Sequence, residues 1–220
     1  MEKHLPYFKL LDSFNAEECP LCRRASEAVE RYFSGLLYER VNDVGFRRRF
    51  NAGDSFCRSH AYAFARYHDG LAVCLVYQEP LRSSVERLLN PRKEDRKRLP
   101  AQGGVCPVCA HVEEVERVSV ATVAHHLTDR ELKERFFAFE ALCIPHFSAV
   151  RAACRDLPAW FTELHAARYD DLLRRVKTFL DGCNYSLGEK RPALEREDEL
   201  VYQKVVKTLY GYEGSGHRYR

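Results

Sequence analysis

The longest purely apolar run in this chain, Leu71 to Tyr77, falls far short of the ~20 residues that a membrane-spanning helix needs. The opening residues, MEKHLPYFKLLDSF, lack an apolar segment of signal-peptide length, so the expectation is a cytoplasmic protein with no membrane partner. Also missing are a glycine-rich phosphate loop, a nucleophile elbow and an HExxH motif, which leaves P-loop, hydrolase-elbow and zinc-protease chemistry without support. Charge of one sign is scarce too. Against 35 Lys and Arg stand 32 Asp and Glu, a formal balance of +3 that does not by itself imply nucleic acid.

Cysteine is plentiful. Nine of them in a chain without a secretion signal point to metal binding or catalysis rather than a disulfide framework. Six fall into two repeated devices. Cys19-Pro-Leu-Cys22 is answered 35 residues later by Cys57-Arg-Ser-His60, and Cys106-Pro-Val-Cys109 is answered 34 residues later by Cys143-Ile-Pro-His146. Corresponding positions in the two halves are 87 or 86 residues apart, and Asp43 with Asp129 and Phe50 with Phe136 keep the same register, as an internal duplication would. Cys74, Cys154 and Cys183 lie in apolar or amphipathic stretches and read as small core residues.

Three Cys and one His make a closed tetrahedral set for zinc, with no position left for water or substrate, so the expected role of Cys19, Cys22, Cys57, His60, Cys106, Cys109, Cys143 and His146 is structural metal ligation. Two zinc ions are expected, and at −1 per filled site they bring the formal charge from +3 to about +1. Iron–sulfur ligation is the alternative that residue type leaves open. A thioredoxin-like dithiol role has less support, because no strand pattern precedes either CPxC. Closing each half on itself costs less chain entropy than exchanging ligands between halves, so local ligation is preferred and swapped ligation stays open.

The remaining pattern is helical. Ala25, Ala28, Val29, Tyr32, Phe33, Leu36 and Leu37 mark one face of a helix from Pro20 to about Arg40, with Pro20 at its first position. A matching helix runs from Pro107 to about Leu127, and Thr128-Asp129-Arg130-Glu131 has the form of a capping box that starts a return helix to about Leu142. Further helices are expected over 56–67, 71–89 with a kink at Pro80, from Pro145 onward, 159–180 and 194–210. The fold class is therefore mainly α: two diverged helical repeats, each a hairpin clasped by a Cys3His site, plus a C-terminal helix. Expected domains are 1–90, a basic linker 91–105, 106–190, and 191–220 with a frayed tail.

The linker run PRKEDRKR is read first as a solvated linker, with phosphate contact as its functional alternative, and Arg47-Arg48-Arg49 and the tail His217-Arg218-Tyr219-Arg220 add possible basic contacts to nucleic acid. Glu195 to Glu199 offsets these charges. His125-His126 reads as a polar pair near a helix end, and Asp43 and Asp129 as helix-start residues. The expected function is a non-enzymatic interaction or adaptor module with two structural zinc sites and a protein partner. Nucleic-acid binding, or an iron–sulfur or thiol redox role, are the alternatives.

The segments LPYFKLLD, CPLC, LLYERVND, FCRSH, CPVC and CIPH together resemble an uncharacterised bacterial family of unknown function. Its members carry a Leu-Pro-Tyr stretch, a CPxC, a Glu-x-Val-Asn-Asp segment and a GFCxxH; here Asp54-Ser55 stands where the family has Gly before Phe-Cys. The resemblance implies a cytosolic helical protein and supports the same eight ligand positions. It implies no reaction.

Overall fold

The computed structural model describes residues 3–14, 18–53, 55–89, 105–184, 186, 188, 191–194 and 200–212. The linker over 91–104, Asp54, the acidic stretch 195–199 and the basic tail 217–220 lie outside the described residues. Among the described residues there are ten α-helices and no strand: α1 (Leu5–Ser13), α2 (Pro20–Gly35), α3 (Val44–Ala52), α4 (Arg58–Ala65), α5 (Gly70–Leu89), α6 (Pro107–His126), α7 (Arg130–Ala138), α8 (Ile144–Ala153), α9 (Ala159–Gly182) and α10 (Val201–Tyr210). The chain is mainly α, as the periodicity indicates. None of these helices is long and apolar enough to cross a membrane.

Local chemistry sets most of the helix starts. Asp43 accepts the backbone N–H groups of Gly45 and Phe46 and opens α3; Asp129 accepts that of Leu132 and opens α7. Each carboxylate satisfies donors that a helix start leaves without a partner. Tyr7 in α1 donates its phenol to the Asp129 carboxylate, and Lys3 lies 3.1 Å from the other oxygen. The cap on α7 is thereby tied to the N-terminal segment.

Three local expectations need correction. The helix from Pro20 gives way at Leu36–Arg40 to one π turn, in which the N–H of Val41 reaches the Leu36 carbonyl. Helix α7 stops at Ala138 instead of about Leu142, because Phe139 turns to extended backbone (φ −97°, ψ 156°) and 139–143 continue without helix. Cys74 and Cys183 are exposed rather than core residues. On α5 the buried face carries Ala72 and Val76, and Cys74 between them points the other way, while Cys183 caps the C-terminal end of α9.

The chain divides into two compact units, residues 1–25 with 115–220, and residues 26–114. In the first, Tyr7, Leu10, Leu127, Leu132, Phe136 and Phe161 form the core, and α10 packs on α8 and α9. His126 lies at the end of α6, as its reading near a helix end expects, and is buried against the Tyr7 ring. In the second unit α3 and α4 pack on α5, and Phe33, Phe50, Phe56 and Phe64 meet mainly edge to face at 5.0–5.6 Å between centroids. Such ring pairs add about 0.5–1.5 kcal/mol each beyond the area they bury.

Candidate metal centres

Each of the four ligand pairs sits at the start of a helix. Cys57 and Cys143 are the N-caps of α4 and α8, with His60 and His146 three residues on. Cys19 and Cys106 play the same part for α2 and α6, since their carbonyls accept the first intrahelical bonds from Arg23 and Ala110. Cys22 and Cys109 are again three residues on. N-cap and third helical positions face each other across the first turn, the geometry that a capping box uses, so Cys-x-x-Cys and Cys-x-x-His at a helix start bring two ligand atoms together without backbone strain. Proline at Pro20, Pro107 and Pro145 suits this turn, where its missing N–H leaves no donor unpaired.

The eight side chains gather into two sets of four, in each of which all ligand atoms lie within 4.8 Å of one another: Cys19, Cys22, Cys143 and His146, and Cys57, His60, Cys106 and Cys109. Each CPxC therefore meets the CxxH of the other half. The local grouping preferred above on loop closure is corrected: the side chains gather in the swapped arrangement. Joining Cys22 to Cys143 closes a separation of 121 residues instead of the 35 from Cys22 to Cys57. That costs only about 1 kcal/mol more, because loop entropy grows with the logarithm of length. Helix lengths also argue against a local clasp. The outward helices α2 and α6 cover about 24 and 30 Å, whereas α3 and α7, with nine residues each, cover only about 14 Å, so the equal outward and return legs assumed for a local clasp are not there.

In the first centre His146 Nδ1 lies 3.5, 3.4 and 3.1 Å from the sulfurs of Cys19, Cys22 and Cys143, and Cys22 and Cys143 are 3.7 Å apart. Glu116 of α6 stands 2.8 Å from His146 Nε2. A carboxylate there accepts the Nε2 proton and would leave Nδ1 as the ligand atom for a bound ion. No sequence signal marks Glu116, which lies outside every motif. The backbone N–H of Tyr212 donates to Cys22 Sγ at 3.4 Å, and the Tyr169 phenol donates to the Leu142 carbonyl at 3.0 Å, holding the residue before Cys143.

In the second centre His60 Nδ1 lies 3.2, 3.5 and 3.3 Å from the sulfurs of Cys57, Cys106 and Cys109, and Cys57 and Cys109 are 3.7 Å apart. The Phe33 ring flanks His60.

Charge explains what these sets require. Two thiolates 3.7 Å apart repel by about 4 kcal/mol at an effective dielectric near 20. Burial opposes ionisation of Cys19, but contacts from Cys143, Cys22 and His146 outweigh it and hold the thiol well below its ordinary range. Cys22 is pushed up by Cys143 and Cys19, then by burial. In the second centre burial and the neighbouring Cys106 and Cys57 push Cys109 up to about 12. His146 is pushed up to about 12; burial opposes this, and Cys143, Cys19 and Glu116 prevail. A divalent cation at the middle of each set would reverse the balance by letting all three thiols ionise. Two helix N-termini, each equivalent to about half a positive charge, add to that field. Both sets could hold a metal ion.

One similar protein, an uncharacterised 23.9 kDa protein in the xynA 3′ region of Caldicellulosiruptor sp. (strain Rt8B.4), is 27% identical over 147 residues, covering 64% of this chain and 69% of that one. No solved structure matches the chain. A family model matches residues 1–178, a span that contains both Cys3His sets and eight of the ten helices complete, and the chain belongs to this family of unknown function, DUF6062.

Proposed function

We propose that the chain is a non-enzymatic zinc protein, built of two diverged copies of one unit, in which each ion joins the CPxC of one half to the CxxH of the other. The observation that carries this reading is the spacing of the ligand atoms. Zn–S bonds of about 2.3 Å and Zn–N bonds of about 2.05 Å in a tetrahedron give S···S edges of about 3.8 Å and S···N edges of about 3.6 Å. The separations in the structure are 3.7 Å between sulfurs and 3.1–3.5 Å from sulfur to nitrogen. Sulfurs this close suit one shared ion better than a polynuclear cluster, whose cysteines bind different irons.

Four protein ligands complete the tetrahedron, which supports a structural role. Structural zinc contributes about 10–16 kcal/mol of apparent folding free energy in small peptides near neutral pH, comparable with the roughly 5–15 kcal/mol that stabilises a whole domain. The test is elemental analysis with an absorption spectrum on protein purified without oxygen. About two zinc per chain and no visible band are expected; iron with charge-transfer absorption would replace this reading with the redox one.

A further inference from the structure

The two centres differ in how far their sulfurs are covered. Cys19, Cys22 and Cys143 are each 2% exposed or less, and Cys22 also accepts a backbone N–H from Tyr212. In the second centre Cys106 and His60 are buried, but Cys57 and Cys109 are only half-buried. These two half-buried sulfurs are also neighbours, 3.7 Å apart. A solute that reaches one of them meets the other within reach of bond formation. Oxidation of cysteine follows thiolate character and exposure, and metal ligation supplies the first at both centres, so exposure decides between them.

We propose that the second centre is an oxidant-labile site at which hydrogen peroxide converts Cys57 and Cys109 to a disulfide and expels the ion, while the first centre keeps its own. The proposal rests on the zinc reading given above. One thiolate of the pair attacks a peroxide oxygen; the O–O bond breaks, hydroxide leaves, and the sulfur becomes a sulfenic acid. The second thiolate then attacks that sulfur, forming the S–S bond and displacing a second hydroxide. The two sulfurs give up two electrons, peroxide takes both, and two solvent protons convert the hydroxides to water. Cys106 and His60 alone remain on the ion, too few to retain it against solvent.

The experiment uses the full chain carrying Cys74→Ser and Cys183→Ser, which removes the two exposed thiols outside the centres. Loaded protein is first assayed for zinc, then treated with increasing hydrogen peroxide while a chromophoric zinc indicator follows release and peptide mass spectrometry maps disulfides. One equivalent of zinc should leave about tenfold faster than the second, together with a Cys57–Cys109 disulfide. Release of both ions together, a first disulfide that includes Cys19, Cys22 or Cys143, or first release without a Cys57–Cys109 bond would overturn the proposal. Fewer than two ions before peroxide is added would instead overturn the zinc reading, so the two failures are distinguishable.

Discussion

Replacing Cys22 by Ser tests the swapped ligation directly. Cys22 Sγ sits 3.7 Å from Cys143 Sγ and 3.4 Å from His146 Nδ1, and its set contains neither Cys57 nor His60. If four ligands share the ~10–16 kcal/mol of a structural zinc site equally, losing one costs about 3 kcal/mol, or on the order of a hundredfold in affinity. Under competition from a zinc chelator, the variant should lose the ion of the first centre and keep that of the second. Alkylation of the partly stripped protein, read peptide by peptide, should then show Cys19 and Cys143 gaining reactivity from a buried baseline while Cys57, Cys106 and Cys109 match the parent. A local clasp makes the opposite demand: Cys57 gains and Cys143 stays protected. That second pattern would refute the pairing, and it remains readable even if the variant loosens the surrounding helices.

Four further outcomes are expected. Removing metal altogether should abolish the cooperative thermal transition, because the binding energy is of the same size as the stability of a domain; circular dichroism of verified metal-free protein checks this. Glu116→Gln should weaken zinc at the first centre about 10–100-fold and leave the second unchanged in a competition titration. Asp129→Ala should cost about 1–2 kcal/mol in chemical denaturation and more than Asp43→Ala, since Asp129 both caps α7 and accepts the Tyr7 phenol. His165 is buried with Nδ1–H donating to the Phe161 carbonyl at 2.7 Å and, among the described residues, no partner at Nε2. Burial lowers its pKa below 6.5, so the unfolded chain takes up the proton first and stability falls as pH drops below about 6.5. His165→Leu should therefore lose less stability than the parent between pH 7 and 5.

What could be read from the sequence was whatever local chemistry controls. Asp43 and Asp129 announce helix starts because a carboxylate one position ahead of an apolar period satisfies free N–H groups within three residues, and Pro20, Pro107 and Pro145 mark first turns for the same local reason. The eight Cys and His residues stand out by spacing, and these are the ones the fold gathers. Their pairing was not legible. It is a tertiary property that spacing along the chain does not carry, and the early stop of α7 at Ala138 already departs from two legs of similar reach. Glu116 was hidden because its role exists only once α6 lies beside His146. Cys74 misled because its apolar neighbours suggest burial, while the helical period places it opposite Ala72 and Val76.

The swapped arrangement also fixes an order of events at the ribosome. A locally clasped chain could complete a first set as soon as residue 60 had emerged. Here the set of Cys57, His60, Cys106 and Cys109 is complete only after residue 109, and that of Cys19, Cys22, Cys143 and His146 only after residue 146. At ~5–20 residues per second, Cys22 waits roughly 6–25 s for His146 to be made. During that interval the nascent chain carries its earliest thiols without their partners, and a chain cut short before residue 109 has no complete set at all.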